Sequence, residues 1–417
     1  MQTATTYHKV ASHEAKKGEF KKCILLYSGG LDTSILLKWI PDQYDCEMIT
    51  VTFDIGQEED FEAVKQKALD LGASKAYVID AKEEFAKDYI SKAIKANADY
   101  QGGYHLFCPL GRAVISKIAV DIAHQENAEV IAHGCTGKGN DQVRFEGYMT
   151  TLDPNLKTIA PVREWSMGRD EQLEYAAKHN IPIKQSSKKI YSYDENLWGD
   201  SAEGGEIEHL NEIPDFENLL ITCTVPEKAP DQAEIVELEF EKGLPTAVNG
   251  EKMALVKLIQ KLNGIGAKHG VGITPLVEDR IVGLKVRGVY EEPGAEIIIQ
   301  AHKNLEKLVS TREENEFKTM VDQKWAYLCY GANWFHPLMN HLNSYIDSVN
   351  EKITGKVKVK LYKGKAMVVA LESPYSLFNE NLATFLKNDL FNQNASAGFI
   401  ELWNLPQKTA YNVNKNV

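Results

Sequence analysis

The chain has 417 residues and a formal net charge of −12, from 59 acidic and 47 basic side chains. With 43% hydrophobic and 25% charged residues it is of ordinary globular composition, which excludes disordered and collagen-like classes and predicts two or three domains with ample core. An acidic surface is a poor partner for nucleic acid or a membrane surface, so an anionic ligand would need cations and backbone donors gathered locally.

Residues 1–20 are polar, lack the apolar segment of a secretory signal and contain no arginine. They read as a mobile N-terminal extension in preference to a transit peptide. Cys23–Tyr27 is a short apolar run of the buried parallel-strand kind. A turn at Ser28-Gly29-Gly30 follows, then a helical pattern through Ile35, Leu36, Leu37 and Trp39, predicted to stop at Pro41. Strand Met48–Phe53, helix Phe61–Leu71, strand Ala76–Ile79, helix Ala113–Gln125 and strand Val130–Ala132 continue the rhythm. That alternation predicts a parallel sheet flanked by helices. A last helix, Arg169–His179, closes this part, and residues 184–232 read as loop-rich. Beyond them come strand Glu234–Phe240, helix Met253–Asn263, a glycine-rich helix-to-loop transition at Gly264–Gly272, and helices over 295–347 broken near Gly331 and Pro337. A hairpin turns at Lys363-Gly364-Lys365. The expected fold is α/β: a parallel-sheet nucleotide-binding domain over 21–185, an α+β domain over 186–372, and a tail over 373–417. The tail is too short for its own core and is expected to pack on a neighbouring subunit.

Six cysteines (Cys23, Cys46, Cys108, Cys135, Cys223, Cys329) are scattered without close pairs, which predicts reduced thiols in a cytoplasmic protein. No apolar run approaches the roughly 18–20 residues of a membrane span. His105, His124, His133, His269 and His336 lack metal-ligand spacing and read as core or surface residues, so no protein-held metal is expected. The aromatic positions of 327–335 read as core or interface.

Two strings carry chemistry. Ser28-Gly29-Gly30-Leu31-Asp32-Thr33-Ser34 lies between a strand and a helix. Its glycines admit close backbone approach to a phosphate, its hydroxyls donate, and the helix N-terminus adds positive dipole. A plain capped turn is the bland alternative, but seven such residues after a buried strand favour pyrophosphate binding. No Gly-Lys-Thr/Ser follows, so this is not a Walker loop. The second string, His133 to Arg144, again follows a strand and belongs at the same carboxyl edge of the sheet. Gly134, Gly137 and Gly139 leave backbone open, Thr136, Asn140 and Asp141 offer hydrogen bonds, and Lys138 and Arg144 bring charge.

These strings, with DIGQ (54–57), YSYDENLWGDSAEGGEIE (191–208), AKHGVGITPLVEDRIVGLKVRGVYEEPG (267–294) and GKVKVKLYKG (355–364), resemble the argininosuccinate synthase family of the PP-loop ATP pyrophosphatases. The resemblance implies an ATP-dependent ligase joining citrulline to aspartate through a citrullyl-adenylate, with Mg²⁺ carried on pyrophosphate oxygens and a homotetrameric assembly. It places nucleotide contacts on Tyr27, Ser28, Gly29, Gly30, Leu31, Asp32, Thr33, Ser34, Phe53, Gly134, Thr136 and Asp194. It places aspartate on Thr136, Asn140 and Asp141. Citrulline falls on Tyr104, Asn140, Arg144, Ser192, Ser201, Glu203, Glu278 and Tyr290, with Arg144 facing its carboxylate and Glu203 or Glu278 its ammonium. Asp32, Lys138 and Asp141 are the expected catalytic residues. Some positions depart from the family pattern: Phe53 stands where Ala is frequent, Cys108-Pro109 where one branch has a hydroxyl-bearing residue (Pro109-Leu110-Gly111-Arg112 looks like another branch), Val286 where a small polar residue is common, and Asp279 in place of a frequent asparagine, adding a charge beside Glu278. The competing readings are a pyrophosphatase with another acceptor, such as a tRNA-thiolating or amidating enzyme, and a non-catalytic nucleotide-binding protein. A tRNA-thiolating enzyme wants paired reactive cysteines and a basic face that are missing; intact Ser28, Asp32, Lys138 and Asn140 argue against a non-catalytic protein.

Overall fold

The computed structural model describes residues 15–163, 167–182, 191–384, 390 and 392–415. The domain boundary expected near 185 and residues 1–14 of the extension lie outside them. Five parallel strands, β1 (Lys22–Leu26), β2 (Glu47–Asp54), β3 (Lys75–Asp80), β4 (Val130–Ala132) and β5 (Lys157–Ile159), form one sheet in the order β3-β2-β1-β4-β5. Side chains alternate along β1: Ile24 and Leu26 enter one core, Cys23 and Leu25 the other. Helices cover both faces, which is why this strand reads as an unbroken apolar run. The strand order reverses between β1 and β4, so their carboxyl ends open the crevice where such sheets bind ligands.

Nine further strands are β6 (Ser192–Asn196), β7 (Gly199–Glu203), β8 (Glu234–Glu241), β9 (Leu244–Val248), β10 (Glu251–Lys252), β11 (Ile273–Asp279), β12 (Lys285–Glu291), β13 (Gly355–Tyr362) and β14 (Lys365–Glu372). They make two antiparallel sheets, ordered β11-β12-β7-β6 and β10-β9-β8-β13-β14. The β6–β7 hairpin docks onto the parallel half. Leu197 N–H donates to Ile55 O at 2.8 Å, Asn196 Nδ2 to Phe107 O at 2.9 Å, and Trp198 Nε1 to His105 O at 2.9 Å. Gly56 (φ +107°) makes this approach possible: a Cβ there would lie 2.8 Å from Leu197 Cα.

Several boundaries differ from the sequence reading. The first helix, Leu31–Tyr44, runs through Pro41; Tyr44 is buried against Phe20, ring centroids 5.3 Å apart, and this packing holds the last turn. The helix read as Ala113–Gln125 begins at Phe107, and a helix the sequence reading did not include, Asp141–Leu152, follows Asn140. The loop-rich stretch contains β6 and β7. The helix Leu255–Lys268 passes through Gly264 and Gly266; at Gly266 a Cβ would sit 2.8 Å from Pro293 Cβ, so close helix packing explains the glycine. Helices Ala395–Trp403 and Leu405–Asn414 bury none of their residues and expose Phe399, Leu402 and Trp403. No helix among the described residues is long and apolar enough to cross a membrane.

Candidate functional site

Two cavities meet at the β1/β4 edge. The first, about 490 Å³, is walled by Tyr27, Ser28, Gly30, Leu31, Asp32, Thr33, Phe53, Gly134 and Asp194, all expected at a nucleotide. Gly29 takes φ +74° and turns the chain into the Leu31–Tyr44 helix, whose Gly30 N-cap offers no side-chain cap to the first turn. The helix N-terminus is thus left to a ligand. Ser28 Oγ lies 3.2 Å from Thr33 Oγ1, and Lys67 Nζ donates to Gly29 O at 2.8 Å, fixing the loop from behind. Gly29 and Ser34 do not line the cavity: Ser34 is fully buried and its hydroxyl meets Tyr27 Oη at 3.1 Å. Thr136 lies outside this cavity, in the wall of the second.

The second cavity, about 460 Å³, gathers Tyr104, Thr136, Asn140, Asp141, Arg144, Ser192, Ser201, Glu203, Glu278 and Tyr290. These come from the 133–140 loop, the Asp141–Leu152 helix, the segment before the Phe107–Glu126 helix, and strands β6, β7, β11 and β12. The Tyr104 and Tyr290 rings stack at 4.3 Å. Register explains one trio: Tyr290 pairs with Ser201 across β12–β7, and Asp194 with Ser201 across β7–β6.

Residues outside the sequence reading complete the site. Tyr330, placed there in core or interface, lines the second cavity; its hydroxyl accepts from Asn140 Nδ2 at 2.8 Å and donates to Glu278 Oε2 at 2.9 Å. Its ring stacks on Tyr100 at 3.7 Å. Arg144 Nε and Nη2 donate to Tyr330 O at 3.3 and 3.2 Å, and Nη1 to Asp141 Oδ1 at 2.9 Å. Arg144 therefore gives three of its five N–H groups to Tyr330 O and Asp141, with Nη1 also 3.6 Å from Cys108 Sγ, and holds few of them toward a substrate carboxylate. Arg112, from the Phe107–Glu126 helix, donates through Nε to Asp141 Oδ2 at 2.9 Å and through Nη2 to Asp194 Oδ2 at 2.5 Å. Arg280 Nη2 meets Glu203 Oε1 at 2.5 Å, and its Nε stands 3.8 Å from Glu278 Oε1. Lys138, expected as a catalytic cation, is exposed and lines neither cavity. The helical segments that deliver Tyr330 and Arg112 carry no local signal distinguishing them from core helices, although Pro109–Arg112 is a recognisable family string.

Charge in the site is strongly conditioned. Burial opposes ionisation of Asp141, yet the Arg112 and Arg144 guanidiniums hold its carboxyl well below the usual range. Burial lifts Glu278 above its ordinary value, against the pull of the Tyr330 hydroxyl and of Arg144 and Arg280. Asp279 does not contribute to that: its carboxylate bonds Lys285 and Gln101 on the outer side of the hairpin. Cys108 lines the cavity with its thiol 3.4 Å from Asp141 Oδ1, while Pro109 is buried beneath it. Cys108, Asp141 and Asp194 place ligand atoms within 4.8 Å of one another, but the Arg112 guanidinium already answers both carboxylates.

Ser28, Arg112, Gly134, Cys135, Asp141, Tyr193 and Asp194 face both cavities. A phosphate-type loop at a sheet switch point, continuous with a second chamber that carries both cations and carboxylates, is the arrangement of a nucleotide-dependent enzyme acting on a small charged substrate. Comparison with known proteins makes this specific. The family model "Arginosuccinate synthase N-terminal HUP domain" matches residues 22–182, and "Arginosuccinate synthase C-terminal domain" matches 191–410. The argininosuccinate synthase of Caldanaerobacter subterraneus subsp. tengcongensis is 49% identical over 393 residues, covering 94% of this chain and 95% of its own. That of Halalkalibacterium halodurans is 49% identical over 398 residues, covering 95% and 97%. The chain belongs to the argininosuccinate synthase family, which comprises ATP-using carbon–nitrogen ligases.

Proposed function

We propose that the chain condenses citrulline with aspartate, converting ATP to AMP and pyrophosphate. The observation that carries this reading is the shared wall: one set of side chains faces a nucleotide-type cavity and an amino-acid-type cavity at once. A ureido carbon is a poor electrophile until its oxygen becomes a leaving group. The ureido oxygen attacks the α-phosphorus, the bond to the β-phosphate oxygen breaks, and pyrophosphate leaves. The aspartate amine then adds to the ureido carbon, losing a proton as AMP departs. Positioning and charge stabilisation do most of the work. Arg112 suits the charge on the α-phosphate: its Nη1 has no hydrogen-bond partner among the described residues, and it faces both cavities. Asp141 keeps that guanidinium in place, and the Ser28–Thr33 loop receives the departing pyrophosphate.

Mg²⁺ fits the acidic rim of the nucleotide cavity (Asp32, Glu58, Glu59, Glu195) together with phosphate oxygens; when bound it neutralises polyphosphate charge. The six unpaired thiols support a cytoplasmic setting. We place the domains at 21–185 and 186–372, with an oligomerisation tail over 373–417. Exposed Phe399, Leu402 and Trp403 in that tail support a homotetramer in which it covers, and is covered by, neighbouring copies. The test of function is pyrophosphate release with ATP, Mg²⁺, citrulline and aspartate. Release independent of citrulline refutes the reading. An unchanged tetramer in sedimentation after deletion of 374–417 refutes the role given to the tail.

A further inference from the structure

Arg280 stands at the start of the turn between β11 and β12, where its N–H donates to Leu284 O at 2.8 Å. Although on a surface turn, its side chain is only 11% exposed and points into the amino-acid cavity. The turn is latched to the 133–140 loop by Ile281 N–H to Asn140 Oδ1 at 2.9 Å and by Arg280 Nη1 to Lys138 O at 3.3 Å. Its guanidinium carries five N–H groups. One is given to Glu203 and one to the Lys138 carbonyl; the Nε–H, whose nitrogen is ion-paired with Glu278 Oε1 at 3.8 Å, and the second N–H on each terminal nitrogen have no hydrogen-bond partner among the described residues. Arg144, by contrast, is committed to Tyr330 O and Asp141.

We infer that Arg280 is the specificity-determining residue that reads the free α-carboxylate of the ureido amino acid, beside Glu203 and Glu278, its own ion-pair partners, which hold the α-ammonium; this rests on the ligase reading above. The charges around Arg280 are those a zwitterionic end requires: a planar cation with open donors, two carboxylates, and the Ser192 and Ser201 hydroxyls in the same wall, whereas Arg112 stands at the wall shared with the nucleotide cavity. Chemistry selects which amino acid sits here. An amine held between carboxylates stays protonated and cannot attack, so this end belongs to the spectator α-amino group of the ureido substrate and not to the nucleophilic amine of the second amino acid. The ureido group then lies toward Asp141 and Arg112, at the wall shared with the nucleotide cavity.

The experiment compares citrulline with its α-carboxamide, which lacks only the carboxylate charge, in pyrophosphate release by the full-length enzyme, its Arg280→Gln and its Arg280→Lys variants. The parent enzyme is expected to prefer citrulline by at least tenfold in kcat/KM. In Arg280→Gln that preference collapses toward unity, with KM for citrulline raised and KM for ATP and aspartate within about twofold of the parent. Arg280→Lys keeps the charge without the fork and is expected to retain part of the preference, which also controls for loss of the Glu203 contact. An unchanged preference in Arg280→Gln, a rise in KM for both amino acids alike, or a shift confined to aspartate each overturns the assignment. Absence of citrulline-dependent release from the parent enzyme overturns the ligase reading itself, and this inference with it.

Discussion

Tyr330→Phe removes one oxygen from the centre of the amino-acid cavity and leaves the ring. The stack on Tyr100 at 3.7 Å and the Arg144 guanidinium 5.0 Å from the ring centroid are retained, so packing changes little. Lost are the bond from Asn140 Nδ2 and the bond to the Glu278 carboxylate. A hydrogen bond to a charged buried group contributes about 1.5–3 kcal/mol and a neutral one about 1 kcal/mol, partly recovered by rearrangement. A net loss of about 2 kcal/mol is expected, or roughly thirtyfold in kcat/KM for citrulline. Tyr330 does not line the nucleotide cavity, so the Kd for ATP should stay within about twofold, an allowance set by additivity over separated sites. The hydroxyl also restrains the rise of the Glu278 pKa caused by burial. Its removal lets that pKa climb, and the acid limb of the kcat/KM profile moves to higher pH. Steady-state pyrophosphate release across pH, with ATP binding by calorimetry, measures both effects. Equal losses for ATP and citrulline, or an acid limb displaced downward, would refute the assignment of Tyr330 to the amino-acid cavity.

Arg112→Lys keeps a charge but cannot span Asp141 and Asp194 together; kcat is expected to fall at least about tenfold while circular dichroism stays native, and full activity would remove Arg112 from the shared wall. Gly56→Ala puts a Cβ against the Leu197 backbone at a positive φ, so roughly 2–4 kcal/mol of stability should be lost, read as a lower urea midpoint. Four buried groups bind protons more tightly in the fold: Asp200 (about 9, from burial and the Glu291 charge), Glu292 and Asp322 (about 7 each, from burial), and His105 (about 9, where the Glu296 bond and nearby Glu292 outweigh burial). Each raised value gives stability that is complete below the unfolded pKa and lost as pH rises through the folded one. The urea midpoint should therefore fall from pH 6 to 9. Asp200→Asn, uncharged and still able to accept from Thr222, should flatten that fall and exceed the parent at pH 9; parallel curves would refute it.

The parallel half was legible because its physics is local. Apolar runs such as Cys23–Tyr27 mark strands buried on both faces, and Ser28–Ser34 marks a loop whose backbone must approach a phosphate. The end of the Leu31–Tyr44 helix is not legible locally, because Pro41 removes a single internal bond whereas Tyr44 against Phe20 is a contact between distant segments. Strands β6 and β7 were hidden in a polar stretch, since their inward side chains, Asp194, Ser201 and Glu203 among them, serve a cavity instead of a core.

The sequence alone determined the chemistry on offer: hydroxyls and glycines after β1, a polar string after β4, acids in 191–208 and 278. It could not determine which of these charges are spent on one another. Arg144 looked like a ligand for a substrate carboxylate, and the tertiary structure gives its donors to Tyr330 O and Asp141. Arg112 and Arg280, unremarkable on a helix and a turn, become the cations with open donors because the hairpins of the second half fold over the switch point of the first. Backbone preferences and apolar period are properties of neighbours along the chain. The partner that satisfies a buried charge is brought to it from as far as 186 positions away, as the Tyr330 carbonyl is to Arg144, and only the fold decides it.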